Sequence, residues 1–436
     1  MISNDEILSL LEEKGYKSYL VGGCLRDSLL NKESHDVDIS TQALPDEILE
    51  VFKDYKTVDI GKKFGTIKVI YYDFEYEITT MRKESSYKDK RHPDKVDFTK
   101  DIVEDLKRRD FTINAMAKRK GKIIDPFDGK SDLKTKTIRA VGDPVARINE
   151  DLLRSLRAVR FATSLDFQIE ENLKKAIKNK ASCINEISKE RIREEINKIL
   201  LSKKPSRGIR LLDELGLLEF IFPEVFRTKG FNQHSTFHKD DVYNHSLNVL
   251  DKTKANLNIR MAALYHDVGK IDTFFLDENA EGRFFGHQKV SENSLRERLK
   301  ILKYSNKFIE DTTILVRRHM DNSNTYTKKS VRKLLRNLGE ENLLNLFDLQ
   351  KADVLSTTFD DISNIDLGLK ILEEVKNDEI PKNRSELAIN GKDLILLGYK
   401  EGVELGNKLK EIENLIYDEK LKNNKDDIIK YIKENR

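Results

Sequence analysis

Leu20-Val21-Gly22-Gly23-Cys24-Leu25-Arg26-Asp27, followed after a short gap by Ser34-His35-Asp36-Val37-Asp38-Ile39-Ser40, decides how the first third of this chain is read. Residues i and i+2 of a β-strand project from one face, so Asp36 and Asp38 can share a pair of divalent cations. Such a pair activates an attacking hydroxyl and neutralises a leaving pyrophosphate, which is the chemistry of nucleotidyl transfer. Ligands made only of oxygen favour Mg2+. Gly22 and Gly23 let the backbone approach an anion just ahead of a helix start, where amide N–H groups favour phosphate. Arg26 would reinforce that site. Neither Gly-Gly nor Asp-x-Asp carries weight alone; the two at this spacing do.

Outward from this stretch, short β-rich runs at 18–21, 37–40, 66–71 and 75–79 alternate with amphipathic helical patterns at 6–13 and 46–52, an α/β head. After Val141 the pattern becomes almost entirely helical, with Leu152, Leu156 and Val159 at i, i+4 and i+7 and Leu153 beside them. Pro205, Gly208, Gly216 and Pro223 punctuate the helices up to a second boundary near Gly230. Another helical block runs to about residue 355, and a helical tail follows from Asp361, broken by a glycine-spaced stretch at 397–406. The expected divisions are an α/β head at 1–140, then all-α segments at 141–230, 231–355 and 356–436. A length of 436 residues suits three or four domains.

The 79 Lys plus Arg nearly balance 76 Asp plus Glu, and a net charge of +3 does not announce a nucleic-acid partner. Local charge says more: residues 174–210 hold twelve basic and four acidic side chains, net +8. That is either a phosphate-backbone footprint or a solvated helical face in a Lys-rich chain. Two cysteines, Cys24 and Cys183, exclude a disulfide framework and a Cys-based zinc site. The Met1 region has no apolar signal segment and no run approaches a membrane span, so a cytoplasmic chain without a membrane partner is expected. Oligomeric state is not legible.

Two further segments supply polar groups for a nucleotide. Residues 108–117, Arg-Arg-Asp-Phe-Thr-Ile-Asn-Ala-Met-Ala, offer guanidiniums, a carboxylate and a carboxamide in Arg109, Asp110 and Asn114, suited to triphosphate oxygens and ribose hydroxyls. Asp151 and Arg154 stand three residues apart, adjacent on one helical face, either as an intrahelical ion pair or as readers of a base. Cytosine and adenine both show an amino donor beside a ring-nitrogen acceptor, which a carboxylate plus a guanidinium can match. Uracil and guanine present the opposite polarity. One rigid Asp/Arg pair could therefore accept CTP and ATP and reject UTP and GTP.

Taken in order, residues 20–27 with Asp36 and Asp38, 77–82 leading into 87–93, 108–117, Asp125-Pro126-Phe127-Asp128-Gly129, 150–157 and 188–200 resemble the class II CCA-adding tRNA nucleotidyltransferases, within the family shared with bacterial poly(A) polymerases. The resemblance covers nearly the whole chain. It implies a nucleotidyltransferase head with a mixed sheet, followed by helical neck, body and tail domains that hold tRNA. It also implies Asp36 and Asp38 as catalytic metal ligands, and Asp151 and Arg154 as base-selecting groups. Gly22, Gly23, Arg26, Arg109, Asp110, Asn114 and Arg157 would then lie near the incoming nucleotide. Glu77 is either a third carboxylate near the metals or a ladder residue of its strand, and 87–93 resembles the flexible loop that accompanies the final A addition.

A second chemical site is expected in the helical block. His245, the adjacent His266 and Asp267, and Asp353 form the order His, His-Asp, Asp, and an irregular turn can bring all four to one divalent ion. Imidazole with carboxylate suits Mg2+, Mn2+, Ni2+ or Co2+, with open positions for water and phosphate. With Gly269 and Lys270, these residues resemble the HD phosphohydrolase domain; His287 and His319 could add ligands or contact phosphate. The whole reads as template-independent addition of CCA to tRNA from CTP and ATP by two metal ions, plus a phosphohydrolase site. An enzyme that adds only A, a poly(A) polymerase, or a signalling phosphohydrolase with an inactive transferase head are the alternatives. An alarmone synthetase-hydrolase also joins these two folds, but with the HD part first.

Overall fold

The computed structural model describes the chain except for residues 1–3, 34–36, 72–73, 85–95, 235–239, 324, 359, 378–385, 418–419 and 436. Asp36 and the 87–93 segment therefore lie outside the described residues. The chain forms two compact units, Met1–Ile221 and Phe222–Arg436. Among the described residues no helix is long and apolar enough to cross a membrane.

The first unit is built on a mixed seven-stranded sheet. Its strands are β1 (Ser18–Val21), β2 (Val37–Thr41), β3 (Lys56–Gly61), β4 (Thr66–Tyr71), β5 (Phe74–Thr80), β8 (Ala117–Arg119) and β9 (Lys122–Ile124), with β6 (Arg82–Glu84) and β7 (Val96–Phe98) forming a separate pair. The order is β3-β4-β5-β2-β1-β8-β9. Within this sheet only β2 and β5 run parallel, and their register pairs Asp38 with Glu77. Alternation fixes which way β2 faces: Val37 and Ile39 enter the core with Ile48, Phe52, Ile67, Val69 and Ile78. Asp38 and Ser40 accordingly share the opposite face. Helices α1 (Asn4–Glu13) and α3 (Pro45–Val51) cover the apolar side.

Helix α2 (Gly22–Leu29) starts on the residue after β1, and Gly22 has φ +70. A Cβ there would lie 2.6 Å from Asp38 Oδ2 and 3.1 Å from Arg109 Nη1, so backbone strain and side-chain crowding both demand glycine. After α4 (Ile102–Lys107) and α5 (Gly129–Lys134) the chain turns helical, as expected: α6 (Pro144–Glu150), α7 (Leu153–Leu165), α8 (Glu171–Lys178), α9 (Lys189–Leu200), α10 (Pro205–Glu214) and α11 (Leu218–Ile221). Asp143 caps α6 by accepting from Val145 and Ala146 N–H. Helix α7 packs on α9 and α10 through the 3.6-residue stripe, with Leu156 and Val159 fully buried. Each such side chain contributes about 1.5–3 kcal/mol by leaving water.

The second unit is almost all helix: α12 (Pro223–Phe226), α13 (Val242–Lys252), α14 (Leu257–Tyr265), α15 (Lys270–Thr273), α16 (His287–Ile301), α17 (Asn306–Arg318), α18 (Lys328–Val354) and α19 (Ser363–Asn377). The remaining helices α20 (Gly391–Leu396), α21 (Val403–Tyr417) and α22 (Lys425–Glu434) close around their own core of Leu394, Ile412, Ile416, Ile428 and Ile432. The glycine-spaced stretch is the turn between α20 and α21, with Gly398 and Gly402 at positive φ. Helix α18 is broken at Gly339 (φ 75, ψ 167), backbone that essentially only glycine adopts. Ahead of the break Arg332 Nη1 donates to Tyr417 O on α21 at 3.3 Å; behind it lies Asp353.

Candidate active site and candidate metal centre

A cavity of about 850 Å3 opens in the first unit, within the size range of small-molecule sites. Asp38 and Glu77, in register on neighbouring parallel strands, line it. Strands stand about 4.8 Å apart, so the two carboxylates reach the same space. Their oxygens are hard donors that fit Mg2+. Gly22, Gly23, Arg26, Arg109, Asp110, Asn114, Asp151, Arg154 and Arg157 all line the same cavity. Seven arginines and a lysine face five carboxylates there, an excess of positive charge suited to a polyanion.

The polar groups are already tied to one another. Arg26 Nη1 donates to Asn114 Oδ1 at 2.8 Å, and its Nε and Nη2 bind Asp27. Asn114 Nδ2 donates to Asp110 Oδ1 at 3.1 Å, and Arg157 grips Asp110 Oδ2 through Nε at 2.8 Å and Nη2 at 2.5 Å. Burial alone would raise the Asp110 carboxyl, but Arg157 and the hydrogen bonds from Asn114 and Phe111 N–H hold it at about 2. It is ionised throughout the working range. Three guanidiniums stack on Phe161: Arg160 at 3.9 Å, Arg26 at 5.1 Å and Arg157 at 5.6 Å from the ring centre. Phe161, Arg160, Lys68 and Arg82 were not singled out in the sequence; Arg160, three residues beyond Arg157 on a helix, could have been.

Asp151 and Arg154 line the cavity together but do not share a helical face. Asp151 is the extended joint between α6 and α7 (φ −147, ψ 105), where its Oδ1 accepts from Leu153 N–H at 3.0 Å. Its Oδ2 pairs with Arg191 Nη2 at 2.9 Å. Arg154 Nη1 binds Glu150 Oε2 at 2.6 Å, and its Nη2 donates to Arg108 O at 3.3 Å. Each group thus has a partner elsewhere, Asp151 in Arg191 and Arg154 in Glu150, while both line the cavity.

The basic run at 174–210 is partly consumed inside the fold. Lys174 pairs with Glu171 and Glu214 at 3.0 Å each, Arg191 with Asp151, and Arg207 Nη2 donates to Phe167 O at 2.5 Å. Lys175, Lys178, Lys203, Lys204 and Arg210 remain exposed.

In the second unit His245, His266, Asp267 and Asp353 converge, and His287 and His319 join them. His245 Nε2 lies 3.0 Å from Asp353 Oδ1 and 3.3 Å from His266 Nε2. Asp267 divides its oxygens: Oδ2 faces His266 at 3.3 Å and His245 at 3.7 Å, while Oδ1 faces His287 at 3.3 Å and His319 at 3.7 Å. His287 and His319 bring their Nε2 atoms to 3.2 Å. His266, His287 and His319 each turn Nδ1 to a backbone carbonyl, of Ala263, Phe284 and Val316, at 2.7–2.8 Å. With Nδ1 of these three imidazoles turned to carbonyls, Nε2 is the nitrogen each could offer to a cation.

Burial alone would lower His266, yet Asp267 and Asp353 raise it to about 10, whereas burial and the neighbouring His266 push His319 down to about 3. Nitrogen and oxygen donors together suit a transition metal or magnesium. The two triads, His245-His266-Asp267 and Asp267-His287-His319, share one carboxylate and could hold two ions, where the sequence suggested one. Lys270 Nζ, 2.6 Å from Asp267 Oδ2, adds a buried positive charge.

Residues 18–139 match the family model of the poly(A) polymerase head domain, 166–228 that of the RNA and SrmB-binding site of polymerase A, and 282–432 that of tRNA nucleotidyltransferase domain 2. The chain is 36% identical over 420 residues to a CCA-adding enzyme of Pediococcus pentosaceus, covering 96% of this chain and 93% of that one. To the CCA-adding enzyme of Lactobacillus helveticus it is 34% identical over 431 residues, 98% of this chain and 96% of the relative. Among solved structures, the Bacillus stearothermophilus CCA-adding enzyme in complex with CTP superposes with a TM-score of 0.74 at 27% identity, covering 99% of this chain and 96% of that chain. The Thermotoga maritima CCA-adding enzyme complexed with tRNA shares the fold, with a TM-score of 0.59 at 21% identity, covering 99% and 94%.

Proposed function

Because the chain belongs to the CCA-adding enzyme family, we propose that it completes the 3′ end of tRNA with CCA, drawing on CTP and ATP without a nucleic-acid template, and that its helical unit carries a separate metal-dependent phosphohydrolase centre. The observation that carries the first part is that Asp38, Glu77 and all nine side chains or glycines chosen for a nucleotide line one cavity. Divalent ions held by Asp38, with Asp36 and Glu77 as further oxygen donors, would supply Lewis acidity to the attacking hydroxyl and the leaving pyrophosphate. The chain's own groups do the rest. The α2 N-terminus, Arg26 and Arg109 bind the triphosphate, while Asn114, fixed between Arg26 and Asp110, offers its carboxamide to the sugar. Asp151 accepts the exocyclic amino hydrogen of cytosine or adenine and Arg154 donates to the ring nitrogen.

Residues 1–140 would then activate the nucleotide, 141–230 read its base and bind tRNA, 231–355 form the phosphohydrolase domain, and 356–436 hold RNA. The deciding experiment offers tRNAs lacking CCA, ending after the first C, or ending after the second C, with each NTP separately. Completion of all three from CTP and ATP is the expected result; extension of the last substrate alone would identify an A-only enzyme, and long A tails a poly(A) polymerase.

Base choice gives a sharper test. Arg154→Ala should slow both CTP and ATP use and relax the rejection of UTP and GTP, losing about 1–3 kcal/mol of discrimination because a partner is stranded. Misincorporation and catalytic efficiency both at wild-type levels would show that Arg154 serves only its pair with Glu150. The exposed lysines of α8 and the 203–204 turn should contact phosphates. Replacing Lys175, Lys178, Lys203 and Lys204 by glutamine should therefore lower the slope of log affinity for tRNA against log salt by roughly 3. An unchanged slope, measured by filter binding across salt, would return this surface to plain solvation.

Support for the second centre is the inward convergence of four imidazoles and two carboxylates. A metal bound there would supply an activated water and a Lewis acid for a phosphate ester. Small phosphomonoesters and 2′,3′-cyclic nucleotides are the substrates to try, and repair or trimming of RNA ends the role by analogy. A signalling phosphohydrolase with a dead transferase head fits less well, because Asp38 and Glu77 stand in register beside the arginines.

A further inference from the structure

A fully buried carboxylate outside the cavity wall connects its two halves. Asp105, on α4, has no exposed surface and was not among the residues selected from the sequence. Its Oδ2 accepts from Ser40 Oγ at 2.9 Å, and Ser40 lies two residues beyond Asp38 on the same face of β2. Its Oδ1 accepts from Arg108 Nε at 2.9 Å and from the Arg82 backbone N–H at 3.2 Å. Arg109 Nη2 stands 3.8 Å from Oδ2 and 3.5 Å from Ser40 Oγ. The other end of the same guanidinium, Nη1, approaches Gly22 beside Asp38 Oδ2.

One charge is thus shared among the strand that carries Asp38, the paired arginines and the backbone at the start of β6. Two guanidiniums side by side repel, and both must point to one place if a triphosphate is to meet them together. A buried anion between them removes that repulsion and fixes their directions before the nucleotide arrives. Burial would raise the Asp105 carboxyl, but Arg108 and Arg109 hold it below the usual carboxylate range, so the anion persists.

We propose that Asp105 is a positioning residue for nucleotidyl transfer, holding Arg108 and Arg109 against the Asp38 strand so that the triphosphate binds in line with the metal-bearing carboxylates. This rests on the functional reading given above. Asp105 touches the phosphate side and not the base side, so its loss should affect every nucleotide alike.

The test uses the full chain with Asp105→Asn, which keeps the shape and one acceptor oxygen but removes the charge. Initial rates are read for C addition to tRNA lacking CCA and A addition to tRNA ending in CC. Catalytic efficiency should fall about 10- to 100-fold for CTP and for ATP by the same factor, mainly through KM, the loss expected when hydrogen bonds to charged groups are disordered. The preference over UTP and GTP should not move. In an Arg108→Ala/Arg109→Ala background the same substitution should cost less than about twofold, because the groups it positions are gone. Asp105→Glu should restore part of the activity. Ser40→Ala, which removes one tether and leaves the charge, should act in the same direction more weakly, and stands in if Asp105→Asn does not fold. Wild-type rates in a folded Asp105→Asn or Ser40→Ala variant, a changed base preference, or an undiminished cost in the arginine-free background would each overturn the proposal. Retained addition by Asp38→Ala would instead sink the functional reading itself.

Discussion

Alanine at position 38 should abolish nucleotide addition while leaving the chain folded. Asp38 is half-buried at the cavity wall, across the register from Glu77, and its neighbours Val37 and Ile39 carry the packing of the strand. Truncating it removes a metal ligand without opening the core. Loss of one such ligand withdraws several kcal/mol of transition-state stabilisation. At 1.36 kcal/mol per tenfold, that is at least about three orders of magnitude in rate. Single-turnover addition of C to a tRNA lacking CCA measures the loss, and circular dichroism with a thermal melt checks the fold. A well-folded Asp38→Ala chain that kept more than a few per cent of wild-type addition would show that the ions, and so the chemistry, lie elsewhere.

The second large effect concerns the helical unit. His266→Ala combined with Asp267→Ala should remove all metal-dependent hydrolysis of phosphomonoesters or 2′,3′-cyclic nucleotides and leave nucleotide addition nearly intact. Asp267 touches both triads, so no partial centre survives its loss, whereas every residue of the nucleotide cavity belongs to the first unit. Loss of Asp267 leaves the buried Lys270 ammonium with Gln233 as its neighbour, so folding of the double variant is to be checked by circular dichroism and a thermal melt. Wild type and variant are to be assayed with magnesium, manganese, nickel and cobalt, alongside elemental analysis of bound metal. Absence of hydrolysis by wild type with every ion would make the cluster a structural one.

Much of this was legible in one dimension because the signals were local. Period-two runs and a glycine pair followed by Asp-x-Asp place β1, α2 and β2 almost to the residue, since alternation along a strand dictates both burial and the direction of Asp38. The His, His-Asp, Asp order was legible as an ordered motif, with His245 on α13, Asp353 on α18, and His266 and Asp267 in the turn between α14 and α15. What failed depended on partners distant in the chain. Asp151 reads as helical by spacing, but its carboxylate accepts from Leu153 N–H in the joint before α7 and reaches Arg191, forty positions away, and no local rule announces that. The net charge of 174–210 overstated the available surface because Lys174 and Arg207 find partners at 214 and 167. His287 and His319 carry no motif of their own; the sequence offers them only as residues that could add ligands, and the structure brings both to Asp267. Asp105 looks like any acidic residue near a helix start, and only the folded chain brings Ser40, sixty-five positions earlier, against it.

The break at Gly339 has a mechanical consequence. A continuous α18 would be a stiff rod of about 40 Å at 1.5 Å per residue, carrying any torque from one end to the other. Interrupted where it is, its leading part is tied to α21 through Tyr417 and its trailing part bears Asp353, while α19 spans the break through Lys328–Glu374 on one side and Lys351–Asp366 on the other. A bend confined to one glycine lets the two stretches take different directions, one toward the terminal helices and one toward the histidines, with no loop between them. The kink is thus splinted rather than loose: α19 fixes the angle at which the stretch bearing Asp353 leaves the stretch that meets Tyr417.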